Sequence, residues 1–393
     1  MIAGPLDTTR ILEVDNQHGP GLWKPDVALV RGEGVRVWDA DGREYLDCLA
    51  GIAVASLGHS HPRLVRAISE QAQKLIVFGQ NIGSDTRSRF LEKLFTFVPA
   101  PLTRAFMASS GSEVNEAAMK WARVATGRPK FVAAKRGFSG RTMGVLGLTW
   151  EPGYREPFGP LGVEVEHITY NSVTELEAAV DERTAAVFVE PIQGEGGMNA
   201  ASPGFLQEAR RLTRERGALL VFDEIQSGAG RTGRFLASEW YDVQPDMATL
   251  AKGLAGGVPI GALLMTDEVA GAMPTGGHGS TFGGNPLASA AALAVLEEIE
   301  ESDLLSHVRR VGELLQTGLA GIGGPLVREV RGRGLMVGVE LAEKAGPYIT
   351  RLREAGVLTI AAGSHVIRFV PPLIISEREV EEVVERAAGV LRG

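Results

Sequence analysis

The chain has 393 residues, 44% hydrophobic and 22% charged, which fits a globular protein of one large or two ordinary domains and excludes disorder, coiled coil and collagen. Its 40 basic and 48 acidic residues leave a net charge of −8, without the basic footprint that nucleic-acid binding requires. The single cysteine, Cys48, excludes an intramolecular disulfide framework and a Cys-rich metal site, and it suits a reducing cytoplasm.

The opening residues lack a basic stretch followed by an apolar one, so no secretory signal is expected. The longest apolar run, Leu287 to Leu296, is far short of the ~20 residues of a membrane-spanning helix. Fifty glycines punctuate short apolar runs, as in chains whose loops bring backbone close to a small ligand.

In chain order, the first fifty residues read as β structure. Residues 35–47 alternate around Asp41-Gly42, a hairpin signal. A helix is expected from Pro62 to about Phe78, with apolar residues at Leu64, Val65, Ile68, Ala72 and Leu75. From about residue 104 to 265, apolar runs alternate with helical patterns. The runs are Ala105–Met107, Phe131–Ala134, Ala185–Val189, Ala218–Phe222 and Ile260–Met265. Such alternation predicts an α/β fold with a mostly parallel sheet covered on both faces. An Ala-rich helix is expected over about 286–300, and strands within Gly334–Leu341 and Val366–Val370. The expected division is a large domain of residues 51–300 and a smaller α+β domain built from 1–50 and 301–393.

Two motifs are set aside. Gly228-Ala-Gly-Arg-Thr-Gly233 has dinucleotide-fingerprint spacing, but Asp223–Gln226 separates it from the strand core and Pro245 closes off a long crossover helix. His59-Ser-His61 lacks further ligands nearby and reads as a turn capping the Pro62 helix, so no metal is expected there.

The strong signal is Asp223 at the end of a buried strand, with Lys252 in an apolar Gly/Ala setting 29 residues later. An Asp there lies where α/β folds bind ligands. Apolar surroundings lower a lysine's pKa and make it a nucleophile for carbonyls. A buried Asp–Lys ion pair is the alternative. The chemistry that needs both residues is pyridoxal phosphate: the Lys binds the aldehyde and the Asp keeps the ring nitrogen protonated. Ser109-Ser-Gly111-Ser112 opens a helix whose free N–H groups suit the phosphate, although alone it is also an ordinary capped helix.

With these motifs the sequence resembles the class III, ornithine-type aminotransferases from about residue 20 to the C-terminus. The resemblance rests on Ser110-Gly-Ser-Glu-Val-Asn-Glu-Ala, Gly137-Phe-Ser-Gly-Arg-Thr, Glu190-Pro-Ile-Gln-Gly-Glu-Gly-Gly, Asp223-Glu-Ile-Gln-Ser-Gly, Leu250-Ala-Lys-Gly and Gly279-Ser-Thr-Phe-Gly-Gly-Asn-Pro. It implies a fold-type I homodimer. It also implies Lys252 as the Schiff-base lysine, Asp223 as the ring-nitrogen partner and Gln226 at the ring hydroxyl. Phe138 and Ile225 would pack the two ring faces, and Gly111 and Ser112 would hold the phosphate with Thr281 from the other subunit. Arg141 would clamp a substrate carboxylate with Ser280 nearby. Glu195, in a glycine-rich turn, would gate Arg368, a buried strand arginine that needs a partner.

Within that family the likeness is to acetylornithine aminotransferase and to enzymes acting on lysine or ornithine precursors linked to an acidic amino-group carrier protein. The implied activity transfers a terminal amino group to 2-oxoglutarate, forming glutamate, in arginine or lysine biosynthesis. Ser112 stands where many relatives have Thr, which keeps the hydroxyl. Ser139 stands where acetylornithine enzymes usually have His, which leaves the acyl group open. An aminotransferase of ornithine or 4-aminobutyrate, or an aminomutase of the same fold, are the alternatives.

Overall fold

A computed structural model describes residues 6–392. The first element among the described residues is a helix, Thr8–His18, where β structure was expected. Asp7 caps it by accepting a hydrogen bond from the Arg10 N–H at 2.8 Å. No residue of this helix is buried, and its apolar Ile11, Leu12 and Val14 are only half-buried.

Strands β1 (Leu29–Glu33), β2 (Arg36–Asp39) and β3 (Glu44–Asp47) follow as an antiparallel set. The expected hairpin joins β2 to β3, with Val37 opposite Tyr45. Gly42 takes φ 86° in its turn, a conformation without steric penalty for glycine. Asp39 closes the turn by accepting from the N–H groups of Asp41 and Arg43 and from the Tyr45 hydroxyl.

The Pro62 helix ends at Ala72, short of the expected Phe78. Leu75 to Phe78 continue without helical structure and are 42–53% exposed, so their apolar character belongs to a surface strip. His61 holds the N-cap position without a side-chain cap bond. His59 bonds instead to Asp47 at 2.8 Å, and His61 lies 4.0 Å from Glu298.

The central sheet contains β4 (Arg104–Ala108), β5 (Lys130–Ala134), β6 (Glu164–Ile168) and β7 (Thr184–Val189). After a short pair, β8 (Ile192–Gln193) and β9 (Asn199–Ala200), it is completed by β10 (Leu219–Asp223), β11 (Met247–Leu250) and β12 (Gly261–Met265). The order is β4-β12-β11-β10-β7-β5-β6, with β12 antiparallel to both neighbours and the other pairings parallel. The expected mostly parallel sheet is therefore present, with β6 and β11 added to the runs read from sequence. β6 is an edge strand with exposed Glu164 and Glu166, and β11 is only four residues long. Period-two alternation splits the core. Phe131, Phe188 and Val221 pack with helix Gly111–Thr126 on one face. Val132, Val187, Leu220 and Phe222 pack with helix Pro203–Arg216 on the other.

Helix Pro286–Glu301 matches its expected range, capped by Asn285. Strands β13 (Val327–Arg333), β14 (Met336–Leu341), β15 (Val357–Leu358), β16 (Ile360–Ala362) and β17 (Val366–Phe369) come last. β13-β14-β17-β16 form an antiparallel sheet, while β15 pairs in parallel with β3. Val35, Leu46 and Cys48 share one core with Val308, Val337, Ile367 and Val383, so both ends of the chain meet. Among the described residues, no helix is long and apolar enough to cross a membrane.

Candidate active site

The parallel strands end on one edge of the sheet, and Asp223 is the last residue of β10. It is 4% exposed. Its carboxylate accepts from Asn115 Nδ2 at 2.8 Å and from the Ile225 N–H at 3.2 Å. Burial raises its pKa, while these bonds favour the ionised form. Asn115 also donates to the Ser139 carbonyl at 2.8 Å, which ties Asp223 to the 137–141 loop.

Lys252 follows β11 and adopts φ 42°, an uncommon conformation for a side-chain-bearing residue. Ala251, Gly253, Leu254 and Ala255 around it are buried. Loss of solvent lowers its pKa to about 8; Glu195, Asp223 and Glu190 pull it up, and Arg368 pushes it down. Asp223 takes its hydrogen bonds from Asn115 and Ile225 rather than from Lys252, so a closed Asp–Lys pair does not describe this site.

Helix Gly111–Thr126 points its N-terminus at the same place. Ser110 caps it by accepting from the Glu113 N–H, and Glu113 accepts in turn from the Ser109 N–H at 2.9 Å. The N–H groups of Gly111 and Ser112 belong to the first turn, where no intrahelical acceptor exists. A Cβ on Gly111 would sit 2.8 Å from Ile225 Cδ1, so glycine lets the helix start approach the strand end.

Two residues not singled out from the sequence organise this edge. Asn115 orients Asp223. Glu190 accepts from the Phe138 N–H at 2.9 Å and the Gly194 N–H at 3.0 Å, joining the Phe138 loop to the Glu195 turn. Burial, with the nearby Asp223 charge, pushes the Glu190 pKa up to about 8. Its signal was a carboxylate ending the apolar run 185–189, the same signal that exposed Asp223. The signal for Asn115 was an amide among Val114, Ala117, Ala118 and Met119, on what becomes a buried helix face.

Arg368, in β17, is 1% exposed. Its Nη1 donates to Glu195 Oε1 at 2.6 Å and to Gln226 Oε1 at 3.0 Å. Its Nε is buried without a partner.

A cavity of about 340 Å³ occupies the centre. Among the sequence candidates, Gly111, Ser112, Phe138 and Ile225 line it, together with Glu195, Asp223, Gln226 and Lys252. Arg368 reaches it through Glu195 and Gln226. Arg141 is not among the lining residues; it is exposed, with its guanidinium 3.5 Å from the centre of the Tyr154 ring and 5.5 Å from that of Phe138. Ser280 and Thr281 line a different hollow, beside Val77, Phe78 and His278 on the exposed apolar strip.

The donor set suits pyridoxal phosphate. There is a buried carboxylate with no cationic hydrogen-bond partner, an amine whose pKa burial lowers to about 8, first-turn N–H donors, and apolar walls at Ile225 and Phe138. Fold and site together define a pyridoxal-phosphate enzyme of fold type I. Residues 21–391 match the aminotransferase class-III family, and the chain belongs to it. It is 49% identical to the [LysW]-aminoadipate semialdehyde transaminase of Deinococcus radiodurans, over 100% of this chain and 92% of that protein. It is 46% identical to the acetylornithine aminotransferase of Methanopyrus kandleri, over 96% and 98% of the two chains. A solved ornithine aminotransferase from Toxoplasma gondii with partial occupancy of PLP superposes with TM-score 0.93 at 35% identity, covering 98% and 93% of the chains. The protein is an aminotransferase whose cofactor is pyridoxal phosphate.

Proposed function

We propose that the enzyme moves the terminal amino group of an N-acylated ornithine or lysine-type donor, N-acetylornithine or its carrier-protein-linked counterpart, to 2-oxoglutarate. Glutamate is the product, and the setting is arginine or lysine biosynthesis in the cytoplasm. The observation that carries this reading is the Arg368–Glu195 pair at the cavity wall. An ω-amine donor keeps its carboxylate far from the reacting carbon, whereas glutamate brings one beside it. Arg368 covered by Glu195 suits the first, and Arg368 released suits the second.

Bound pyridoxal phosphate supplies an aldehyde that takes up the amino group and a ring that accepts electrons from the donor carbon. Lys252 would hold the cofactor through Nζ, Asp223 would face its ring nitrogen and Gln226 its hydroxyl. Gly111 and Ser112 would hold the phosphate, and Phe138 and Ile225 would flank the ring. A Lys252 amine with a pKa of about 8 is neutral in roughly one molecule in ten at pH 7, enough to serve as a nucleophile and proton carrier. Arg141, stacked on the Tyr154 ring beside Phe138, would bind the donor carboxylate; Ser280 shares the hollow of Thr281 and would join it only across the dimer. The exposed strip at Leu75–Phe78, adjoining Thr281, supports a homodimer in which Thr281 completes the partner's phosphate site. The core shared by both chain ends supports a small domain of 1–50 and 301–393 beside a large domain of 51–300.

The test is single-turnover bleaching of the cofactor's visible band with N-acetylornithine, free ornithine, 4-aminobutyrate and carrier-linked lysine. The proposal expects an acylated donor to react fastest. Preference for free ornithine or 4-aminobutyrate would reject the donor class, and failure to interconvert glutamate and 2-oxoglutarate would reject the acceptor.

A further inference from the structure

The loop that carries Phe138 and Arg141 is held chiefly by side chains from outside it. The Phe138 N–H donates to Glu190, and the N–H groups of Ser139 and Gly140 donate to Thr149 Oγ1 at 3.0 and 3.3 Å. The next anchors come from helix Gly111–Thr126. The Arg141 N–H donates to Ser112 Oγ at 3.3 Å. Glu116 Oε1 then takes three donors at once: the Thr142 hydroxyl at 2.6 Å and the N–H groups of Gly144 and Val145 at 3.0 Å each. Ser112 and Glu116 stand four residues apart, on one face of that helix.

The loop is shaped to lie against this face. Gly140 takes φ 140°, and a Cβ there would overlap Ser112 Oγ; a Cβ on Gly144 would overlap the Glu116 carboxylate. Val145 is fully buried in one core with Val114 and Ala118 of the same helix. Arg141 therefore sits between two anchored stretches, with its guanidinium 3.5 Å from the centre of the Tyr154 ring. No carboxylate pairs with it among the described residues. Glu116 is not among the residues lining the central cavity, whereas Gly111 and Ser112, one turn earlier, are. The Ser112 oxygen accepts from Arg141 while its own proton stays available to an anion, as a hydroxyl allows.

We propose that Glu116 is a positioning residue for Arg141. With the Ser112 hydroxyl it docks residues 140–145 on the helix whose first turn faces the cofactor phosphate, and so fixes the span between the cofactor and the guanidinium that takes the donor's carboxylate. A guanidinium whose backbone is already fixed loses less freedom when it binds, which is the gain that preorganisation brings. The inference rests on the reading of Arg141 given above and adds the group that holds it in place.

The probes are 5-aminopentanoate and butylamine, amines that differ only in the carboxylate, and pentanoate, which has the carboxylate but no amine. Steady-state kcat and KM are measured for the two amines, and the pentanoate dissociation constant is read from the holoenzyme's visible band. Wild type is expected to favour 5-aminopentanoate over butylamine by about tenfold or more. Glu116→Ala is expected to shrink that preference about tenfold, chiefly through KM, and to weaken pentanoate binding by a similar factor. Glu116→Gln, which keeps an acceptor oxygen, should restore part of it. Thr142→Val, which removes only the hydroxyl contact at the surface, should give a smaller loss of the same kind. The double variant Glu116→Ala/Arg141→Ala should lose no more preference than Arg141→Ala alone, because Glu116 acts through Arg141. Additive losses overturn the proposal, and so does a Glu116→Ala that slows both amines by one factor, since that marks a merely structural role. If Arg141→Ala abolishes the preference while the Glu116 and Thr142 variants keep it, the proposal fails and the Arg141 reading stands. An Arg141→Ala that keeps the preference overturns both.

Discussion

Substituting Glu195→Gln keeps the shape of the Arg368 lock and removes its charge. The lock now consists of a 2.6 Å contact from Nη1 to a carboxylate and a 3.0 Å contact to the neutral Gln226 oxygen. Hydrogen bonds to charged groups contribute about 1.5–3 kcal/mol and neutral ones about 0.5–1.5 kcal/mol. The swap therefore weakens the cover on Arg368 by roughly 1–1.5 kcal/mol, about five- to twelvefold in the ratio of closed to open forms. Glutamate, which needs Arg368 open, gains relative to the ω-amine donor by about that factor. The assay is stopped-flow absorbance of the two half-reactions measured separately, so that acceptor and donor do not compete. Arg368→Ala is the counter-perturbation: it slows the glutamate half-reaction about ten- to a hundredfold and the donor half-reaction much less. Equal losses in both half-reactions for Arg368→Ala, or an unchanged ratio for Glu195→Gln, would leave a static ion pair and refute the gate.

Lys252→Met tests the cost of the buried amine. A pKa lowered from 10.5 to about 8 means that the unfolded chain binds more protons across that window, so this lysine's penalty is full below pH 8 and fades toward pH 10.5. Without cofactor, the variant is expected to exceed wild type at pH 7 by up to ~3 kcal/mol, and urea midpoints should show the advantage shrinking from pH 8 to 10.5; a constant advantage rejects the cause. Borohydride reduction of the holoenzyme should leave a pyridoxyl group on the Lys252 peptide, and labelling at Lys120 or Lys135 would move the cofactor elsewhere. Mixing inactive Lys252→Ala with inactive Thr281→Arg subunits should recover part of the activity, because one hybrid site keeps both residues; heterodimers without recovery argue against a shared site.

The sequence made the cofactor edge legible because buried charge is rare and conspicuous. Asp223 closes an apolar run and Lys252 sits among glycines and alanines, so each stands out against its neighbours. Glu190 carried the same mark as Asp223, a carboxylate closing the apolar run 185–189. Asn115 was harder to see, since an amide in a helix is ordinary until its face is known to be buried. The N-terminal helix escaped because nothing in it faces a core. Leu75–Phe78 misled in the opposite sense: its residues are apolar, yet they lie at the surface of the subunit. β6 and β11 were missed for separate reasons, one being half solvent-facing and the other barely a strand.

The reversed direction of β12 has a consequence for how firmly Lys252 is held. Two neighbouring parallel strands would need a crossover of a dozen or more residues that leaves this edge and returns from the far end. Because β12 runs back along β11, residues 251–260 stay at the edge, and Leu250 pairs with Ala262 directly beneath them. Closing so short a loop loses little chain entropy, and the β11–β12 pairing it makes is local in sequence. Both flanking strands lie inside the sheet, β11 against β10 and β12 against β4. For Lys252 to swing free, interior ladders must part on each side. Amide exchange in the β11 and β12 ladders flanking this segment should therefore be among the slowest in the protein, close to the rate set by global unfolding.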